Sequence, residues 1–155
     1  MFMLKKQRGT ISIVALIAGG LLCVFCVPTL AQPIEIDSIE ELQKIGNDPG
    51  YPLSGDYILT QDIDASVTKT WDDGAGFAPI GPESTDSFIG HFDGQGHAIV
   101  NVHINRPYKS FNVGLFGYVG AGGIVENLGI EDIHVSGRSV VGGGVGFNKG
   151  TLNNL

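Results

Sequence analysis

The chain has 155 residues, enough for one ordinary domain, with a net charge of −7, 24 glycines and only 7 prolines. Because both cysteines, Cys23 and Cys26, lie in an apolar run near the start, the rest of the chain can form neither a disulfide framework nor a cysteine-based zinc site. All sixteen acidic residues, against six basic ones, follow residue 31, which argues against binding to nucleic acid or to an anionic membrane surface.

The segment 1–31 has the composition of a secretory signal peptide. A basic start is followed by the uncharged, largely apolar residues 11–27, and then by Thr29 and Ala31 at the −3 and −1 positions of a cleavage site. An uncleaved membrane anchor is the alternative, because an apolar run of this length is near the lower limit for a spanning helix. We expect a signal-peptide helix over residues 1–31, cleavage before Gln32, a secreted or cell-surface product, and no membrane contact afterwards.

Residues 32–87 are predicted to form an N-terminal cap made of a short helix, the first strands and a long loop. Ser38 and Glu41 have the spacing of a capping box at the start of a helix over residues 38–45. The apolar residues of this helix form one stripe, and a helix of about two turns must bury such a stripe against another element. It is suited to cover the first open layer of a stacked fold.

The loop of the cap, residues 69–87, is unusually long for a compact domain. It contains Trp71, Phe77 and Ile80, three large apolar side chains. We therefore expect these side chains to fold the loop back onto the body of the protein as an apolar plug.

Residues 88–155 contain a glycine-rich repeat whose short, regular period is typical of stacked folds. Each copy has a glycine, a large apolar residue two positions later, and then an asparagine before an aliphatic residue. These positions are Gly90, Phe92 and Asn101 in the first copy, Gly114, Leu115, Phe116, Gly117 and Asn127 in the second, and Gly143, Val145, Gly146 and Asn154 in the third. Alternation at period two predicts one inward column of the apolar residues, and the asparagines are expected to form a ladder of stacked amides.

Three short strands per repeat favour an all-β fold, a right-handed parallel β-helix with the short helix as its N-terminal cap. An antiparallel sandwich, which also has short and evenly spaced strands, is the alternative. The repeat would be truncated at residue 155, one strand into a copy. Such an end exposes unpaired backbone groups, so we expect C-terminal repeats or self-association there.

Two segments, residues 114–117 and 141–155, resemble the GLUG-motif repeat proteins. The motif has glycine, leucine, a bulky apolar residue and glycine, followed by an Asn-x-Gly turn and an apolar-x-Asn strand; Gly144 departs from it by replacing the leucine. The resemblance extends over residues 35–155. It implies a secreted bacterial surface or adhesin-like protein, or a segment attached to an immunoglobulin A-cleaving metallopeptidase, and the structural motif carries no catalytic residue.

No motif for catalysis or cofactor binding is complete. The chain contains no His-Glu-x-x-His, no Gly-x-Ser-x-Gly elbow and no phosphate-binding loop. The calcium candidates are Asp62, Asp64, Asp72 and Asp73, because Asp-x-Asp and loop carboxylates can hold Ca²⁺. The competing interpretation is that these carboxylates are only solvated.

One carboxylate pair could in principle cleave a glycoside: Asp93 with Glu126 or with Asp132. A turn at Asp93-Gly94 explains Asp93 without catalysis. We therefore predict that the protein is not an enzyme and needs no cofactor.

The sequence favours a non-catalytic secreted β-helical module, the N-terminal end of a longer cell-surface or adhesin-like protein. Its partners would be extracellular proteins or carbohydrates, which loop aromatics such as Trp71, Phe77, Tyr108 and Phe111 could contact. The alternative is an N-terminal accessory region of an extracellular peptidase or polysaccharide-degrading hydrolase, whose catalytic domain would follow residue 155.

Overall fold

A computed structural model describes residues 32–108 and 112–155, and Pro33–Leu155 form one compact unit. The signal peptide predicted for residues 1–31 lies outside the described residues. The helix α1 spans Ile39–Lys44, and two 3₁₀ turns span Ser66–Thr70 and Asp72–Gly74. The strands are β1 Ile34–Ile36, β2 Asp56–Leu59, β3 Ile63–Asp64, β4 His91–Asp93, β5 Ala98–Val100, β6 His103–Arg106, β7 Asn112–Val113, β8 Phe116–Val119, β9 Ile124–Glu126, β10 Gly129–Glu131, β11 His134–Gly137, β12 Val140–Val141, β13 Val145–Asn148 and β14 Thr151–Asn153.

The strands stack as a solenoid. Every pairing between these strands is parallel, and the largest sheet has the order β1-β2-β4-β9-β14. A second sheet has the order β10-β5-β3, and β11-β6, β12-β7 and β13-β8 form three further pairs. Neighbours in each sheet come from successive windings of the chain, which gives about three stacked turns. The predicted parallel β-helix is therefore confirmed, and the antiparallel sandwich is wrong.

The core is a stack of large apolar side chains on the inner faces of the strands. Tyr57, Phe92 and Val125 lie in register on neighbouring strands of the five-stranded sheet and are buried, while the residues that alternate with them point outward. The ring of Phe116 lies 5.2 Å from that of Phe88 and 5.4 Å from that of Phe92, centroid to centroid. Three aromatic rings thus meet inside the solenoid, in the tilted and edge-on arrangements that aromatic pairs prefer.

The predicted inward column is correct for Phe116 and Val145, which pair in register, but wrong for Phe92. Phe92 belongs to the five-stranded sheet, whereas Phe116 stands between Val145 and Ile80 in another sheet. In both strands the phenylalanine stands two residues after a glycine, Gly90 before Phe92 and Gly114 before Phe116. The alignment on glycine therefore superposes two different sides of one coil.

The short helix α1 begins after Ser38, as predicted, and its apolar stripe is buried in the same core cluster as Ile36 of the edge strand β1. The capping box differs in detail: the Ser38 side chain makes no capping bond, and the Glu41 carboxylate accepts a hydrogen bond from the Asp37 N–H at 3.4 Å. The helix ends at Lys44, and Gly46 in the turn that follows has a φ of 80°, the left-handed conformation that glycine favours after a helix. The helix therefore covers the core at the end of the solenoid formed by β1.

The long loop is packed as the plug interpretation predicts, but it is not structureless. Phe77 and Ile80 are buried, and Trp71 is partly buried against the core. The first 3₁₀ turn overlaps the start of the loop, and the second lies within its first half. Ile80 forms a parallel bridge with Phe116. Arg106 ties the loop down: its Nη2 donates to Gly76 O at 2.9 Å and its Nη1 pairs with Asp72 Oδ2 at 3.1 Å. The loop thus supplies part of a coil.

The repeated glycines of the motif stand where neighbouring backbones touch. A Cβ on Gly117 would lie 2.9 Å from Gly81 O, and a Cβ on Gly146 would lie 2.8 Å from Gly117 O. Both distances are too short for a real side chain, so each coil rests on the backbone of the one before it. The glycine repeat is therefore a packing requirement.

The departure of the third copy from the motif is compensated locally. Leu115 is buried, and Gly144 occupies the register position above it. A Cβ on Gly144 would lie 2.8 Å from Ile130 Cδ1, so the Ile130 side chain fills the space beside that glycine.

Strands on both sides of residue 87 share the five-stranded sheet, because β1 and β2 precede it and β4 follows it. The cap of residues 32–87 and the repeats of residues 88–155 therefore form one continuous solenoid.

Candidate functional site

The richest polar cluster lies on the outer face of the five-stranded sheet, on β4, β9 and β14. His91 Nε2 and Glu126 Oε1 are 2.8 Å apart across neighbouring strands. On the other side, Asn153 donates from Nδ2 to Glu126 Oε2 at 3.4 Å. Each strand places these side chains outward because they alternate with core residues, and the parallel register brings them side by side. We call this set, together with Asp93, the polar face.

Two asparagines continue the polar face at the corner that follows these strands. Asn127 donates from Nδ2 to Asp93 Oδ1 at 3.1 Å, and Asn154 donates from Nδ2 to Asn127 Oδ1 at 3.2 Å. Both asparagines have a positive φ, 52° and 50°, a conformation that asparagine tolerates better than most residues. The predicted asparagine ladder is therefore correct for these two residues.

Asn101 belongs to a different ladder, so the predicted alignment of all three asparagines is wrong. Its backbone N–H donates to Glu131 O, and its Nδ2 donates to Asp64 Oδ1 at 3.1 Å. The residue above it in register is Asp132, which follows β10 and also has a positive φ, 49°. Because Asn and Asp suit a left-handed bend at any corner, the same sequence pattern marks two separate corners.

Three of the four calcium candidates, Asp62, Asp64 and Asp72, have hydrogen-bond or ion-pair partners of their own. Asp62 Oδ1 accepts from the Ala98 N–H at 2.9 Å and lies 3.2 Å from His97 Nδ1. Asp64 accepts from the Ser66 N–H at 2.9 Å. The other two, Asp72 and Asp73, lie in the second 3₁₀ turn, where Asp72 pairs with Arg106. Across residues 32–108 and 112–155 no group of three or more His, Cys, Asp or Glu side chains could hold a metal ion.

Asp93 and Glu126, a pair considered for glycoside cleavage, are in register on the neighbouring strands β4 and β9. Asp93 Oδ1 accepts two hydrogen bonds, from the Gln95 N–H at 2.9 Å and from Asn127. These bonds, with the backbone bond the larger cause, lower the pKa of Asp93 below that of a free carboxyl. The ionised carboxylate thus accepts a hydrogen bond from the next coil through Asn127.

Two other exposed carboxylates have a lowered pKa for the same physical reason. The Ala98 N–H is the main cause at Asp62, followed by His97, and the Ser66 N–H is the main cause at Asp64. A carboxyl whose pKa is lower in the folded than in the unfolded chain stabilises the fold above its unfolded pKa. That contribution is lost as the pH falls through the folded pKa.

We expect the free energy of unfolding to fall on acidification below about pH 4, the ordinary range of an aspartate carboxyl, as Asp62, Asp64 and Asp93 take up protons. The measurement is urea unfolding across the acid range. Asp93→Asn should make that fall shallower, whereas Asn127→Ala, which removes one of the two donors, should do so to a smaller extent. An identical acid profile in all three proteins would contradict this explanation.

Ring ladders form a second feature of the outer surface. The rings of His103 and His134 stack at 5.2 Å with an angle of 6° between their planes. Tyr118 and Phe147 stack at 4.8 Å, and Lys149 Nζ lies 5.8 Å from the Tyr118 ring centroid. The alignment of the repeats misses the histidine pair, although Val-His-Ile at 102–104 matches Ile-His-Val at 133–135.

A cavity of about 440 Å³ lies between the turn after α1 and the long loop. Its lining includes Leu53, Pro79, Pro82, Asp86 and Arg106. The polar face does not line it, nor do Trp71, Phe77 and Tyr108, three of the loop aromatics predicted to contact partners. Tyr108 is 90% exposed, and Phe111 lies outside the described residues.

Within the described ranges, no helix has both the length and the apolar character needed to cross a membrane.

Comparison with known proteins finds similarity to segments of two larger ones. Over 131 residues, 82% of this chain, it is 41% identical to halomucin of Haloquadratum walsbyi (strain DSM 16790 / HBSQ001), of which the match covers 1%. Over 131 residues it is 35% identical to a "Putative Gly-rich membrane protein" of Evansella cellulosilytica, of which the match covers 14%. The chain thus spans a small fraction of either relative's length. No family model matches the chain, and no solved structure matches it significantly.

Proposed function

We propose that this chain is a non-catalytic β-helical module of a secreted or cell-surface protein, and the N-terminal end of a longer adhesin-like chain. The observation that carries the proposal is how the repeated residues are used. Glycines seat one backbone on the next, apolar residues fill the core, and asparagines bond between coils. When the recurring residues of a repeat all serve to stack one coil on the next, the repeat is expected to act as a structural scaffold.

The relatives support the same interpretation. One is named as a putative membrane protein, the other is halomucin, and both are much longer than the matched segment. We infer that this module acts outside the cell as part of a larger chain. The glycine motif favours assignment to the GLUG-repeat proteins. Extracellular proteins or carbohydrates would then contact the outer faces of the sheets and the corner loops.

The test measures the N-terminal processing and the cellular location of the protein. A full-length chain with a C-terminal epitope tag, expressed in a bacterial host, should begin at Gln32 after processing, and the tag should be reached by antibody on intact cells or found in the medium. The matched control lacks residues 1–31 and should stay inside the cell. A full-length product that keeps residue 1 and remains in the cytoplasm would overturn the proposal, and N-terminal sequencing with fractionation decides between the two.

The alternative, an accessory region of an extracellular hydrolase, stays a prediction.

A further inference from the structure

The two ends of the solenoid differ. One end is covered by α1, whose apolar side chains are buried. The other is formed by residues 129–155, which we call the last coil. Val141 is 44% exposed, although Val113, its register partner one coil below, is fully buried. Leu152, in register with the buried Val125, is likewise only partly covered. The last coil therefore presents an apolar surface at positions that are core elsewhere.

The backbone of the last coil also has an unused edge. Thr151 donates its N–H to Gly123 O, and Asn153 O accepts from the Asn127 N–H. In a parallel pair, alternate residues bond to the same neighbour, so the N–H and C=O of Leu152 point away from β9. These groups are directed toward the position of a further strand.

The side-chain ladders reach this same face with one partner missing. Phe147 stacks on Tyr118 through one side of its ring and is 37% exposed, whereas Tyr118 is 7% exposed. Asn154 bonds downward to Asn127, and Gly146 rests on the backbone of Gly117. Each ladder therefore defines the group that fits above it. A flat ring fits above Phe147, an amide fits above Asn154, and a residue without a side chain fits above Gly146.

Charge does not oppose such a contact. The last coil has two acidic residues, Glu131 and Asp132, and two basic residues, Arg138 and Lys149. The other fourteen acidic residues all precede it, against four basic ones after residue 31. The last coil is thus neutral in a strongly acidic protein, which suits docking of an apolar surface and not of a charged ligand.

We propose that the face of the last coil binds one further parallel β-coil of the same repeat type. That coil places a ring over Phe147, an amide over Asn154, a glycine over Gly146 and an aliphatic side chain over Leu152. The inference rests on the proposed function, since it states how the module joins the remainder of a longer protein. The relatives, of which this chain matches only 1% and 14%, are long enough to supply such a coil.

The experiment appends a copy of residues 129–155 directly after Leu155. In the stack, Thr151 lies in register on Ile124, and the appended copy has the same length as the winding between those two residues, so it preserves the spacing of the coil. The readout is hydrogen exchange of the Leu152 amide in the purified protein. We expect this amide to exchange roughly 100-fold more slowly in the extended chain, because it then donates to the appended strand.

The matched control carries the appended segment in shuffled order and should leave Leu152 exchange as in the original chain. A second variant, the extended chain with Phe147→Asp, should lose most of the added protection, because an exposed charge then replaces the ring platform. Equal exchange in the copied and shuffled extensions would overturn the inference. Concentration-dependent protection of Leu152 in the original chain would also overturn it, by showing that a second copy occupies the face.

This result is separable from that of the proposed function. If the appended coil protects Leu152 but the full-length protein is found only in the cytoplasm, this inference holds and the proposed function is wrong. If the protein is exported but Leu152 gains no protection, the proposed function holds and this inference is wrong.

Discussion

Replacing Phe116 with alanine is expected to lower the free energy of unfolding by about 3–5 kcal/mol. Phe116 is fully buried, and its ring lies 5.2 Å from that of Phe88 and 5.4 Å from that of Phe92. It also stands in register between Ile80 and Val145. Because residues from three segments close around it, the cavity left by truncation has little opportunity to collapse. Urea unfolding of the chain from Gln32, followed by circular dichroism, measures the loss.

The control for this variant is Tyr108→Ala, because Tyr108 is aromatic but 90% exposed. Its substitution should change stability by less than about 0.5 kcal/mol, as is usual at the surface. A loss below about 1 kcal/mol for Phe116→Ala would show that the rings do not meet in the core as described.

Gly76→Ala is expected to cost about 2–5 kcal/mol, from two causes that add. Gly76 has a φ of 78°, and a left-handed conformation costs an L-residue about 1–2 kcal/mol. In addition, its Cβ would collide with the carbonyl of His103, and overpacking of this kind costs about 1–3 kcal/mol. Gly76 forms an antiparallel bridge with Ile104, and its carbonyl accepts from Arg106, so the loop cannot move away without losing these bonds.

Gly96→Ala separates the two causes. Gly96 has a φ of 81°, nearly that of Gly76, but a Cβ there would meet nothing within 4 Å. Only the conformational cost of about 1–2 kcal/mol should remain at that site. Equal losses for the two variants in urea unfolding would mean that the loop backbone does not press against His103.

The solenoid could be predicted from the sequence because its signals are local and recur. Glycines followed by a large apolar residue, with turn residues between them, are sufficient to indicate short strands at even spacing. The helix α1 was visible for the same reason, since Ser38 and the apolar stripe lie close together in the chain. In the long loop, Phe77 and Ile80 were recognisable as a plug by their size.

The register of the coils was harder to predict, because it depends on how long each corner is. His91 on β4 pairs with Ile124 on β9, and Ile124 pairs in turn with Thr151 on β14, so the first of these two windings is longer than the second. An alignment on glycine takes no account of winding length, and it therefore places Phe92 in the column of Phe116. The parallel bridge of Ile80 was likewise hidden, because nothing in the sequence of a long loop shows that it passes below Phe116.

The polar face was only partly predictable. Asn127 and Asn154 could be paired from the sequence, since no insertion separates their coils. The contact between His91 and Glu126 could not, because it joins two distant positions across an irregular winding. Side chains on neighbouring coils meet only once the register is known, so sequence reasoning identified the candidate residues without their partners.

The order of the five-stranded sheet also determines how the molecule would respond to force. Its strands lie across the solenoid axis, so the hydrogen bonds between β1, β2, β4, β9 and β14 run along that axis. Tension applied along the axis would act on these bonds in series, and the weakest joint between coils would part first. A module of this kind would lengthen under load in discrete steps of one coil, each absorbing work.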